Sequence, residues 1–436
     1  MTGAILRPPT DRRLTDLDAL RGFALLGILV VNLGYLASPH HFRGAADPMA
    51  ASRLGHLVEW LVAAGFETKF YLLFSFLFGY SCTLQFRPGS APAFLRRLAG
   101  LFVIGVLHAV LLFPGDILTT YAVLGLVLLA LRRMAPRRAL ALAVVVTVLL
   151  AAVHAGLGAL LASGLDATDP LAAADAERTL HDLRGGAGSV IAAHLDQLPL
   201  AGAAVLFALA PGALAAMLAG LAAGNRRLFA DPDRLLRAAS RAQAIGFPTG
   251  AAGAVVYASA SVYYPDTAFD AFAFAADIIT APLLAAAYAA TLLRALHAPW
   301  GHRLAALLAP AGRMSLSNYL GQSAIAVLLF TGVGLGLAGR LTPPAVLATA
   351  LAIYAAQLVL SRRWMRLFRY GPVEWVLRAW TQLARPTGGH GAEPAVRQSG
   401  LSPDAVVPQR PVTSPPPESS SATPTPTTPD TSRSDR

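Results

Sequence analysis

His108 and Asp116 stand on either side of a Pro114 and Gly115 break, within the stretch LHAVLLFPGDILTTY. A histidine about a turn before such a break and a carboxylate just after it describe a helical hairpin that holds both groups at one depth. There the carboxylate can orient the imidazole for general-base work. The same spacing fits a plainer arrangement, in which Asp116 caps the second helix and His108 bonds a neighbouring one. His40 and His41 are the alternative bases. His154, His181 and His194 show no ligand spacing, and the single cysteine, Cys82, gives neither a thiol cluster nor an intramolecular disulfide, so no metal is expected.

Other polar side chains sit within apolar runs, where each must meet a partner, water or a ligand. Asp18 and Arg21 open the run LDALRGFALLGILVVNLGYL and Asn32 lies near its far end. The first two make an i, i+3 pair suited to a helix start, and Asn32 can bond a neighbouring helix. Glu67 and Lys69, the chain's only lysine, stand at the mouth of the next run, and Asp277 lies inside a later one. Arg313, Ser317, Asn318, Tyr319 and Gln322 form the polar beginning of another. That last group fits an inter-helix network, and it equally fits a cavity in which Arg21 and Arg313 face an anionic head group. The candidate binding set is therefore Arg21, Asn32, Glu67, Arg313, Asn318 and Gln322.

The elements that must position these groups are membrane helices. The chain has 436 residues, of which 55% are hydrophobic and 14% charged, the balance of a polytopic membrane protein rather than of soluble domains. A net charge of +11 would suggest nucleic acid if the arginines shared one soluble face, but most fall in short connections. Ten apolar runs reach spanning length: 17–36, 66–86, 97–113, 117–132, 138–162, 199–223, 242–262, 271–293, 315–338 and 342–361. The leader carries Arg7, Arg12 and Arg13, and alternate connections carry Arg96 and Arg97, then Arg132 to Arg138, then Arg226 to Arg241, while those between carry Arg43 and Arg53, Arg178 and Arg184, and Arg340, with two of them free of arginine. The positive-inside rule then gives an all-α bundle of ten spans with both termini cytoplasmic.

Residues 1–16 read as a cytoplasmic leader, 17–385 as the transmembrane domain, with a C-terminal block at about 225–385. Residues 386–436 read as a Pro/Ser/Thr-rich tail too poor in large apolar residues to fold. Residues 37–65 and 163–198 are expected as outer connections, the second with a surface helix in DPLAAADAERTLHDL. The GVGLGLAG run near 332–339 sits at the end of a span with no strand before it, which points to helix packing and not to a phosphate loop.

Five blocks carry a resemblance: LDALRGFALLGILVVN, FYLLFSFLFGY at 70–80, GVLHAVLLFPGDILTTYAVLG at 105–125, GRMSLSNYLGQS at 312–323 and RYGPVEWVLRAWTQL at 369–383. In this order they resemble the YeiB-like membrane proteins, the group known as domain of unknown function 418. His108, Gly115, Asp116 and Tyr121 fall on the family's motif, and Glu67 matches an acidic residue before its aromatic run. More distantly the group is similar to transmembrane acyltransferases, which implies transfer of an acyl group from a cytoplasmic acyl-coenzyme A co-substrate to an envelope acceptor, with no bound cofactor. Arg21 matches the arginine of that wider group's first helix, but its histidine is here Asn32, which cannot act as a base. The base would then be His108, or His40 or His41, and Arg21 and Arg313 would hold the donor phosphates. The resemblance implies a multi-pass protein of the bacterial cytoplasmic membrane. Transport of a small anionic or amphipathic solute is the alternative.

Overall fold

The computed structural model describes residues 9–86, 89–165 and 170–383, with side chains from Leu14 onward. The tail expected at 386–436 lies outside the described residues. Among them are sixteen α-helices and no strand. Helix α1 (Pro9–Ala37) starts earlier than the expected span, because proline suits the first turn of a helix and nothing in the leader breaks it before the apolar run begins. A short α2 (His40–Arg43) leads to α3 (Arg53–Gly65) and α4 (Lys69–Gln85). Residues 53–65, expected as connection, are thus helical and join α4 in one 33-residue apolar stretch, broken where Thr68 takes a φ of 62°.

The hairpin of α5 (Ala91–Leu111) and α6 (Leu118–Ala130) follows, then α7 (Pro136–Ala162) and the helix α8 (Ala172–Leu183). Helices α9 (Ala187–Ala204) and α10 (Ala210–Asn225) are joined by one π turn, Val205–Leu209. The chain continues through α11 (Pro232–Tyr263), α12 (Ala268–Leu296), α13 (Gly301–Arg313), α14 (Ser315–Phe330), α15 (Pro343–Leu367) and α16 (Pro372–Gln382).

Among the described residues eight helical stretches are long and apolar enough to cross a membrane, and the shorter α6 and α14 supply the other two of the ten apolar runs. Leucines and valines exposed on α5 and α7, such as Leu107, Val144 and Leu149, give the bundle an apolar outer face. Its centre is α1, whose Leu17, Leu20, Leu25, Leu29 and Leu33 are all buried in the main core.

One expected helix ends early. Residues 331–341 leave the helical path after Phe330, since Gly336 and Gly339 take left-handed backbone angles that glycine adopts without strain. The turn they form docks on two other elements: Gly332 N–H donates to Leu183 O and Gly339 N–H to Ala37 O, each at 2.8 Å. The GVGLGLAG run is a docking turn, not a packed helix.

Candidate functional site

The α5–α6 hairpin closes tightly. Leu112 and Phe113 N–H groups bond His108 O, ending α5, and the chain reverses at Pro114 and Gly115. Gly105, one turn before His108, allows the close approach: a Cβ there would lie 2.6 Å from Thr119 N and 2.8 Å from an Asp116 oxygen. Asp116 divides its oxygens. Oδ2 accepts from Thr119 N–H at 2.8 Å and Thr119 O–H at 2.9 Å, capping α6, while Oδ1 lies 2.9 Å from His108 Nδ1. Asp116 thus bonds the start of α6 with one oxygen and the imidazole with the other.

The other face of the imidazole meets α14. Nε2 of His108 lies 2.9 Å from Ser323 Oγ. An ionised Asp116 only accepts, which puts the proton on Nδ1 and, in the neutral ring, leaves Nε2 a lone pair for the serine O–H. Asp116 in the hairpin turn, His108 on α5 and Ser323 on α14 thus form one hydrogen-bonded chain. All three are buried, the His108 and Asp116 side chains at 0% and 2% exposure. The Tyr319 ring packs beside the imidazole, centroids 4.9 Å apart. On the bundle's outer side the histidine borders an apolar groove of about 430 Å³. Leu107 and Leu111 of α5, Leu320 of α14, and Pro372, Val373 and Val376 of α16 line it.

Helix α14 is held in register from both ends of its polar stretch. Glu374 Oε1 accepts from Leu316 and Ser317 N–H at 2.8 and 3.0 Å, its other oxygen bonds Ser317 O–H, and Val373 N–H returns a bond to Ser317 Oγ. A residue of α16 therefore caps α14 across more than fifty residues of chain. Further along, Asn318 donates to Ser361 Oγ and Ala311 O, and Gln322 and Gln357 bond through their amides. Asn318 and Gln322 are thus committed to an α14–α15 network. Arg313 reaches Arg369 O at 3.1 Å.

Elsewhere, Arg21 pairs with Asp18 at 2.9 Å and also bonds Ser81 of α4. Asn32 is half-buried. Glu67 accepts from the Tyr257 hydroxyl at 2.8 Å, and next to it Lys69 and Asp277 form an ion pair at 3.2 Å, both fully buried. His40 lies 3.1 Å from Ser38 Oγ and 3.5 Å from Glu177. His41 faces Glu59 at 3.6 Å. Burial of the His41 ring opposes its charged form, but the Glu59 carboxylate, with Asp47 and Glu67 behind it, outweighs burial and holds its pKa above the ordinary histidine value. Among the described residues no three His, Cys, Asp or Glu side chains converge as metal ligands.

Ser323 is the site residue that sequence reasoning passed over. It ends the GRMSLSNYLGQS block, one helical turn after Tyr319 and hence on the same face of α14. Nothing in the spacing of RYGPVEWVLRAWTQL shows that Glu374 caps another helix.

The five blocks meet in space. Arg21 of the first touches Ser81 beside the second, and Ser75 of the second bonds Tyr121 of the third at 2.6 Å. His108 of the third reaches Ser323 of the fourth, and Ser317 of the fourth reaches Glu374 of the fifth. Residues 223–384 match the family described as "Protein of unknown function (DUF418)". Over 405 residues, 86% of this chain and 96% of the relative, the sequence is 30% identical to "Uncharacterized protein YxaH" of Bacillus subtilis (strain 168). The chain belongs to the YeiB-like DUF418 family. It is also 30% identical over 402 residues, 87% of this chain and 98% of the relative, to "Uncharacterized protein YeiB" of Escherichia coli (strain K12). A protein from the amylase 3' region of Bacillus acidopullulyticus is 29% identical over 394 residues, 85% of this chain and 94% of the relative. No solved structure matches.

Proposed function

We propose that this YeiB-like protein is a membrane acyltransferase in which Ser323 is the nucleophile, His108 its general base and Asp116 the group that orients the histidine. The observation that carries the reading is the unbroken chain from Asp116 Oδ1 through both imidazole nitrogens to Ser323 Oγ. A serine is a weak nucleophile until a positioned base takes its proton, and a base works when a third group fixes its tautomer. The apolar groove beside His108 suits an acyl chain and opens among exposed leucines of α5.

In the first step Ser323 Oγ attacks the carbonyl carbon of an acyl thioester, and His108 Nε2 accepts the serine proton. The C–S bond breaks, the leaving sulfur takes that proton, and an acyl-serine results. In the second, an acceptor hydroxyl gives its proton to His108 and attacks the acyl-serine. Ser323 leaves with the proton restored. The donor is acyl-coenzyme A from the cytoplasm and the acceptor an envelope component. The protein crosses the bacterial cytoplasmic membrane ten times with both termini inside, a topology supported by the alternation of arginines between connections.

Mass spectrometry of the purified protein after brief exposure to acyl-coenzyme A tests this directly. An acyl adduct on the peptide carrying Ser323 is expected, absent in Ser323→Ala and slowed roughly 100-fold or more in His108→Ala. Thioester turnover unchanged in Ser323→Ala would overturn the reading. Carriage of a small solute is the second reading, favoured by one observation. The helix break between α3 and α4 brings Thr68 and Lys69 against Asp277 of α12, and broken helices with charged groups line many substrate paths. Solute flux into liposomes without any acyl donor tests it.

A further inference from the structure

We infer that the pocket where α6 gives way to α7 holds an anionic phospholipid, with its phosphate against Arg132 and Arg133. The pocket measures about 320 Å³ and lies between the α4–α5 connection and the end of α6. Phe86, Ala91 and Leu129 give it apolar walls, and Arg132 and Arg133 supply its charge. Arg132 Nη1 donates to Leu129 O at 2.8 Å, which fixes that side chain at the helix end and leaves its other N–H groups unused. Arg133 has no hydrogen bond or ion pair among the described residues. Ser90 also lines the pocket, but its hydroxyl donates to Gln85 O at 2.8 Å, so the side-chain donors left for an anion belong to arginine.

The charge around this pocket is uncompensated. No Asp or Glu occurs between Glu67 and Asp116, nor between Asp116 and Asp166. Arg132, Arg133, Arg137 and Arg138 therefore crowd one connection, with no acid on α5, α6 or α7 to answer them. A topology signal needs the positive charge but neither the pocket nor the missing acid, as the arginines at 226–241 show by having Asp231 and Asp233 among them. A bound phosphate relieves the repulsion, and the planar donors of arginine match its oxygens in pairs. The approach to the pocket selects a lipid over a soluble phosphate. Leu126 and Leu129, three residues apart, share one face of α6, and Leu126 is exposed on the bundle's apolar outer surface. An acyl chain can follow that face while its head group turns in to the arginines, the arrangement of basic pockets between membrane helices that hold anionic lipids.

The site requires no reaction, so it holds whether the protein transfers an acyl group or carries a solute. Full-length protein in nanodiscs of equal parts phosphatidylglycerol and phosphatidylcholine provides the test, with the lipids it retains on release identified by native mass spectrometry. Wild type retains phosphatidylglycerol in preference, and less of it as salt rises. The double change Arg132→Gln with Arg133→Gln lowers that preference about tenfold or more, the scale of two basic groups at an anionic surface. Arg226→Gln with Arg227→Gln removes the same charge elsewhere and leaves the preference as in wild type. Leu129→Trp keeps every charge but fills the pocket, and it lowers the preference too, which separates the site from a general attraction to anionic lipid. Equal retention of the two lipids by wild type would overturn the proposal, as would a preference unchanged in both pocket variants or lost equally in the Arg226 and Arg227 variant. Release of the lipid by excess inorganic phosphate at constant ionic strength would assign the pocket to a soluble anion instead.

Discussion

Lys69 with Asp277, and His108 with Asp116, are two acid–base pairs buried in the same bundle, and their surroundings differ in kind. Around the first, every hydrogen bond closes inward. Lys69 Nζ donates to Ala63 O and to Asp277, the Thr68 hydroxyl donates to Asp277 Oδ2 at 2.6 Å, and the Tyr257 ring lies 5.4 Å from the ammonium. The second pair ends on a hydroxyl, and its histidine borders a groove. A charge in a membrane helix therefore does not by itself mark reactive chemistry. The proposed transfer rests on more than charge: an imidazole nitrogen set 2.9 Å from a hydroxyl, beside an apolar groove.

The contrast can be broken by substitution. Asp277→Ala should be the most damaging single change, destabilising by about 3–5 kcal/mol because it strands a buried ammonium. Thermal unfolding in detergent measures it. The double change Lys69→Met with Asp277→Leu should recover most of that loss, and unfolding as early as in the single variant would show that the pair does more than balance charge. At the other pair, Ser323→Ala should abolish acyl-serine formation while shifting stability by only about 1 kcal/mol, the scale of one hydrogen bond. Gly105→Ala tests the hairpin beneath it. Its Cβ must displace Thr119 or Asp116, so a cost of about 1–3 kcal/mol and a slower transfer rate are expected together. A Gly105→Ala variant that transfers at the wild-type rate would show that the hairpin does not position His108.

The smallest effect lies at His41. Its pKa is raised in the folded protein, so its pairing stabilises fully below the unfolded value of about 6.5 and fades as pH rises through the higher folded value. Wild type should therefore lose a little more stability between pH 6 and 8 than Glu59→Gln, roughly a few tenths of a kcal/mol, the scale of a partly exposed ion pair.

The hairpin was legible because Pro114 and Gly115 punctuate it and Asp116 follows at once. The long apolar runs were legible by length alone. Helix α13 was not, since Gly301–Arg313 mixes His302, Arg303 and Pro310 with its leucines and never makes a spanning run. The overlong ninth run had the opposite fault: GVGLGLAG is apolar enough to extend a span, yet Gly336 and Gly339 take left-handed angles that a right-handed helix does not hold. Ser323 stayed hidden for a further reason. A hydroxyl in an apolar helix ordinarily bonds its own carbonyls, and only the third dimension sets this one against an imidazole more than two hundred residues away.

The cap that Glu374 places on α14 also sets an order of assembly. Synthesis runs from the N-terminus, so the helix carrying Ser323 enters the membrane while residue 374 is still untranslated, and the amides of Leu316 and Ser317 wait without their acceptor. The helix carrying Ser323 gains its final seat only when the last described helix arrives, so its register depends on a residue more than fifty positions further along the chain.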